Sequence, residues 1–169
     1  GVSDAETWAS LVARELTDVH LINTGVAGYN VVSVQRAIRH YRADGYLYLL
    51  IDNDDEILPE WHGAKEPNGM AISLYLYFLQ RRNVKPPTID NFDTVLREVL
   101  TDDRVLAVTF DTEKGKAIAA KYGIQMIPVW ARRISYIDSH ANVEGQFEIT
   151  GAILPHVKAL AAERCRLER

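Results

Sequence analysis

The stretch GYLYLLIDNDDE, residues 45–56, decides how this chain is read. Residues 46–51 are apolar without a polar break, the pattern of a strand covered on both faces of a parallel sheet rather than of a half-solvated antiparallel one. The run stops abruptly in acidic residues, which marks the carboxyl end of the strand. Working outward, VLAVTF at 105–110 and IQMI at 124–127 read as further buried strands, and VHLI at 19–22 as a short one. Helical patterns lie between them. Trp8, Leu11, Val12 and Leu16 mark a face that ends near residue 17, opened by a capping box of Ser3 and Glu6. Val34, Ala37, Ile38 and Tyr41 mark a second face over 32–41, and Phe92, Val95, Leu96 and Val99 a third over 89–100. Residues 70–82, 112–122 and 147–163 complete the helices, and 57–69, with two prolines and two glycines, form a loop placed to cover a site. Strands alternating with helices predict one α/β domain over residues 1–169, a sandwich with a mainly parallel sheet.

Composition narrows the function classes. The chain has 169 residues, is 47% hydrophobic and 25% charged, and carries a net charge of -4. This is the range of an ordinary globular domain, with no internal repeat or biased tract. Its basic residues are scattered among acids, so nucleic acid is not an expected partner. Cys165 is the single cysteine, which excludes an intrachain disulfide and a thiolate metal cluster. The longest apolar run, 70–79, is about half of the ~20 residues a spanning helix needs, so no membrane span is expected.

In parallel sheets chemistry gathers at the carboxyl ends of the strands. Three loops fall there: NTGVAGYN at 23–30, DNDDE at 52–56 and DSHAN at 138–142. A histidine to move protons, an aspartate to orient it, and glycine amides with an asparagine side chain to bind a developing oxyanion are the parts of an acyl-transfer site. Each part has a plainer reading. His140 alone suits a surface or packed position, Asp138 a turn, and Gly25 and Gly28 turns that need positive φ. Asp52, Asp54, Asp55 and Glu56 are oxygen ligands for a hard cation, but they lack the spaced pattern of a calcium loop.

Taken in order, NTGVAGYN, LYLLIDNDD and DSHANVEG resemble the blocks of the SGNH (GDSL-type) hydrolase superfamily over essentially the whole chain. The resemblance implies a flavodoxin-like three-layer α/β/α fold. It also implies an esterase, lipase, or carbohydrate O-deacetylase or acetyltransferase activity on a small ester or an acetylated carbohydrate, without metal or organic cofactor. Asn23 and Gly28 match the block whose glycine amide binds the oxyanion. Asn53 and Asp54 match the Asn-Asp whose asparagine completes the oxyanion hole. Asp138 and His140 match the Asp and His of the triad, followed by Asn142 and Gly145 as the Asn-x-x-Gly helix start.

The chain departs from the family pattern in four places. One residue rather than two separates Asp138 from His140, Asp52 stands where many members have glycine, and Ala141 stands where proline is usual. The first block, Gly-Asp-Ser on the central first strand, is absent. Ser3 fits a helix cap, Ser33 and Ser73 lie within helices, and Ser135 and Ser139 are too close in sequence to His140 for in-line transfer. The expected nucleophile therefore lies upstream of this chain. The alternative is a catalytically inactive SGNH-like binding or scaffold domain. A sheet without its first strand is expected to be unstable, to take a partner segment, or to self-associate as a homo-oligomer. The segment AAKYGIQMIPVW also resembles the cis-proline region of thioredoxin folds, but no C-x-x-C accompanies it. Nothing in the sequence assigns a compartment.

Overall fold

The structure, a computed structural model, describes residues 3–25, 29–57, 79, 81–82, 84–127 and 141–167. Nearly all of the expected 57–69 loop and most of the expected 70–82 helix lie outside the described residues, as do residues 128–140. In chain order the described elements are a 3-10 turn (Asp4–Glu6), α1 (Trp8–Glu15), α2 (Val31–His40), β1 (Tyr46–Leu50), α3 (Phe92–Leu100), β2 (Val105–Phe110), α4 (Glu113–Tyr122), β3 (Gln125–Ile127) and α5 (Val143–Leu167). Contacts divide the chain into two compact units. One comprises Gly1–Asn23, Ala43–Ile51 and Asp103–Arg169, and the other Thr24–Arg42 and Asp52–Asp102.

The first unit holds a three-stranded parallel sheet in the order β1-β2-β3. Tyr46 pairs with Val105 and Leu50 with Thr109, while Val108 pairs with Gln125 and Phe110 with Ile127. The apolar runs of the sequence thus become the expected parallel ladder. Val108 and Ile127 meet Val12 of α1, Leu16 just after it, and Ile149, Ile153 and Val157 of α5 in one core. The four-residue spacing of the α5 members lines them on one stripe, and each buried aliphatic side chain contributes about 1.5–3 kcal/mol. Thr109, next to Val108, points to the opposite face, where it meets α4 at Gly115. Helices therefore lie on both sides of the sheet. Gly115 permits this approach, because a Cβ there would collide with the Phe110 carbonyl oxygen. Gly123, at φ 71°, ends α4 in the left-handed conformation and donates its N–H to Ala119 O at 2.8 Å.

Several sequence expectations are corrected here. Residues 19–22 form no strand. Val19 and Leu21 do pack on the core while Ile22 is 57% exposed, so the in-out alternation survives. What is missing is a ladder partner, since strand pairing and not apolar pattern alone makes a strand. Tyr46 N–H donates to Arg104 O at 2.8 Å, so the parallel register turns the main chain of Leu47 and Leu49 toward the opposite edge of β1. Among the described residues no strand lies on that edge.

The capping box of Ser3 and Glu6 forms as expected but opens the short 3-10 turn, with Ser3 donating its N–H (3.2 Å) and its Oγ–H (2.6 Å) to the Glu6 carboxylate. These bonds, the side-chain one foremost, hold Glu6 below its ordinary pKa of 4.5. The cap of α1 itself is Thr7, whose Oγ1 accepts from Ser10 N–H at 3.3 Å. Helix α5 starts at Val143 rather than 147 and runs through Pro155. A helix-interior proline leaves the carbonyl four residues back without its donor. Here that residue is Gly151, exposed like Pro155 itself, so the orphaned carbonyl lies on the solvent side.

In the second unit α2 and α3 are neighbours. Gln35 donates to Glu98, which also faces Arg39 at 3.6 Å. Val95, Leu96 and Val99 form the buried face of α3. This helix begins at Phe92 instead of 89, because Ile89 N–H is committed to Asp55 O at 2.8 Å and Thr88 pairs with Glu56 in an antiparallel bridge.

Candidate functional site

The acidic turn after β1 is held from two directions. On one side, Glu56 N–H closes it onto Asn53 O at 2.9 Å, and Ile57 and Ile89 N–H bonds to Pro87 O (2.7 Å) and Asp55 O (2.8 Å) fasten it to residues 87–89. On the other side it is tied to the start of α2. Val31 N–H donates to Asp54 O at 3.1 Å, and Asn30 Nδ2 donates to Glu56 O at 3.2 Å. Asn30 Oδ1 meanwhile accepts from Val32 N–H (3.1 Å) and Ser33 N–H (3.3 Å), capping the helix. One buried asparagine, 7% exposed, thus joins the end of the NTGVAGYN loop to the DNDDE turn.

This arrangement decides what the turn can do. Val34 N–H bonds to Asn30 O at 3.0 Å, so all of the first four α2 amides are satisfied internally and none remains for an anion. An oxyanion in this region would need other donors. The carbonyls of Asp54, Asp55 and Glu56 are likewise taken by N–H donors, which weakens the turn as a cation cage. Among the described residues no group of three acidic, histidine or cysteine side chains is arranged to hold a metal. Asp54 is 5% exposed and Asn53 half-buried.

The other predicted residues divide as follows. Asn23 is exposed and belongs to the first unit. Gly28, Asp138 and His140 lie outside the described residues. The latter part of the DSHANVEG motif is described: Asn142 caps α5, its Oδ1 accepting from Gly145 N–H and its carbonyl from Gln146 N–H, both at 2.9 Å. Gln146 fixes this entry further. Its Oε1 accepts from Trp8 N–H at 2.8 Å, satisfying the first amide of α1, and its Nε2 donates to Ala141 O at 3.3 Å. Ser33, 4% exposed with Oγ 3.5 Å from Asn30 Oδ1, is a packed helix residue rather than a nucleophile.

No family model, no curated protein and no solved structure matches this chain.

The chemistry must then be read from its own residues. Sequence reasoning missed Asn30 and Gln146, both of which position loops. Asn30 was legible in principle, as asparagine is among the strongest N-cap formers and stands directly before the helix. Gln146 was not, because its bond to Trp8 spans the length of the chain. The end of β2 carries no serine or cysteine among its described residues. There Thr112 caps α4, accepting from Gly115 N–H at 2.9 Å, and Lys116 stands 3.1 Å from Glu113 and 3.4 Å from Asp111. Those two carboxylates, Glu113 first, hold the Lys116 ammonium above its ordinary 10.5.

Proposed function

We propose that this chain is the greater part of a serine ester hydrolase of the SGNH type, folded as a three-layer α/β/α sandwich in one domain. Its nucleophilic serine would be supplied by a strand upstream of residue 1. The observation that carries the reading is the Asn30 linkage, with its bonds to the 52–56 turn. It ties together the two loops that bear the matched oxyanion donors, Gly28 and Asn53. The edge of β1, together with a 19–22 segment that alternates like a strand but lacks a ladder, is what a sheet missing one neighbour would present.

In this reading the serine attacks an ester carbonyl and His140 takes its proton, while Asp138 holds the imidazole in the required tautomer. The Gly28 N–H and the Asn53 side-chain amide bind the tetrahedral oxyanion. Removing one such donor costs about 10²–10³ in kcat. His140 then returns the proton to the leaving alcohol, and water repeats the sequence on the acyl enzyme. Asn142, by capping α5, fixes the chain two residues beyond His140. Asn23 and Asp54 act as supports of the two oxyanion loops. No metal or organic cofactor enters. The substrate is a small ester or an acetylated carbohydrate.

The test is hydrolysis of p-nitrophenyl acetate by the protein with its upstream segment. Turnover that falls by about 10²–10³ in N53A and is abolished in H140A supports the reading. Turnover unaffected by both substitutions overturns it. A well-folded, inert protein carrying no upstream serine would instead be a binding or scaffold domain.

A further inference from the structure

Helix α5 buries one side and leaves the other open. Its 25 residues run for roughly 37 Å. Ile149, Ile153 and Val157 seat it on the core, while Gly151, Pro155 and Ala159, on the opposite side, are exposed. Phe147 is 56% exposed, although the helix already has a core to pack on. A Cβ built on Gly151 would meet nothing within 4 Å among the described residues, so another backbone can approach the middle of this face closely.

Exposed apolar residues are common singly, and what distinguishes this face is the order of its charges. Before the middle the exposed charged residues are Glu144 and Glu148, both acidic; beyond it Lys158 and Arg166 are basic, with Glu163 at the flank. Glu144 in the first turn and Arg166 in the last also complement the helix dipole. That effect falls off within a turn, so it accounts for neither Glu148 nor Lys158. Glu144, Glu148 and Arg166 have contacts within the chain and are still exposed, so a second molecule meets the sign of each half rather than any one free group. A face acidic at one end and basic at the other repels a parallel copy of itself and attracts an antiparallel one. A two-fold axis beside Pro155 sets Glu144 level with Arg166 of the second copy, Gly151 with its Ala159, and Phe147 with its Ala162, while Glu148 comes within about one turn of its Lys158. Bulk then faces small side chains, and the two helix dipoles oppose each other.

We propose that this face of α5 docks against the same face of a second copy of the chain, antiparallel about a two-fold axis beside Pro155. The dimer does not depend on acyl transfer and is measured without turnover. Sedimentation velocity on the protein with its upstream segment, over a concentration series, should show a monomer–dimer equilibrium that weakens as salt is raised. F147A and K158E/R166E should each weaken dimerisation by about tenfold or more, as truncating an aromatic anchor or setting like charges against each other does. All three positions are exposed, so these variants should fold, which circular dichroism checks. E144R/E148R should weaken the dimer in the same way, and mixing it with K158E/R166E should yield a heterodimer, because acidic and basic halves face each other again only in the mixed pair. A monomer at every concentration, a dimer indifferent to both F147A and K158E/R166E, or folded reversed variants that stay apart when mixed would each overturn the proposal.

Discussion

Replacing Asn30 probes the linkage on which the proposed site rests, and its cost can be worked from two separate bonds. As N-cap, Asn30 Oδ1 serves the amides of Val32 and Ser33, and losing such a cap to alanine costs about 1 kcal/mol. Its Nδ2 bond to Glu56 O at 3.2 Å is worth about another 1 kcal/mol, since its loss leaves a partly buried carbonyl without that donor. N30A should therefore lose about 2 kcal/mol, roughly a thirtyfold shift in the folding equilibrium. For a chain of this size the melting temperature should fall by about 4–8 °C. N30S separates the terms, because serine caps well but cannot reach Glu56 with a donor, and it should lose about 1 kcal/mol. Urea unfolding with an unchanged m-value is the assay. If N30S equals the parent while N30A loses only the cap, the bond to Glu56 contributes nothing and the linkage argument fails.

Three further outcomes are expected. The Thr109 hydroxyl is 1% exposed and has no partner among the described residues. T109V, which removes it at nearly constant shape, should gain about 1 kcal/mol in urea unfolding, and a loss of that size would mean the hydroxyl is bonded. G115A should lose about 3 kcal/mol, the upper end for overpacking, because its Cβ meets the Phe110 backbone oxygen rather than a yielding side chain; a neutral result would refute the close approach of α4. Because Glu6 titrates below 4.5 in the folded chain, its contribution is present above that value and is lost as pH falls through the depressed one. A carboxyl NMR titration should show the low midpoint in the parent and a rise toward the ordinary range in S3A, which loses the side-chain bond but keeps the backbone one.

The buried parallel ladder was legible because its signal is local: YLYLLI and VLAVTF are continuous apolar runs, and three of the described helices show period-3.6 faces. The 19–22 segment was misread for a physical reason, since alternation reports burial on one side and says nothing about a ladder partner. The last helix was read through Pro155 but placed at 147–163, and its true start at Val143 went unread because the Asn142 cap was taken only as part of a motif. At the site, residue types suggested the chemistry, yet the bonds that organise it are not encoded as motifs. Asn30 to Glu56 and Trp8 to Gln146 are long-range contacts between residues with no periodic relation.

The central claim, that Asp138 and His140 serve a serine outside residues 1–169, is tested most directly by a fluorophosphonate that labels activated serines. Two chains would be compared, residues 1–169 alone and the same chain with its upstream sequence, with the labelled residue mapped by mass spectrometry. The account predicts a single label on a serine upstream of Gly1, lost in H140A, and none on residues 1–169. A label on any serine within residues 1–169, or an extended chain that folds and takes no label, would contradict it.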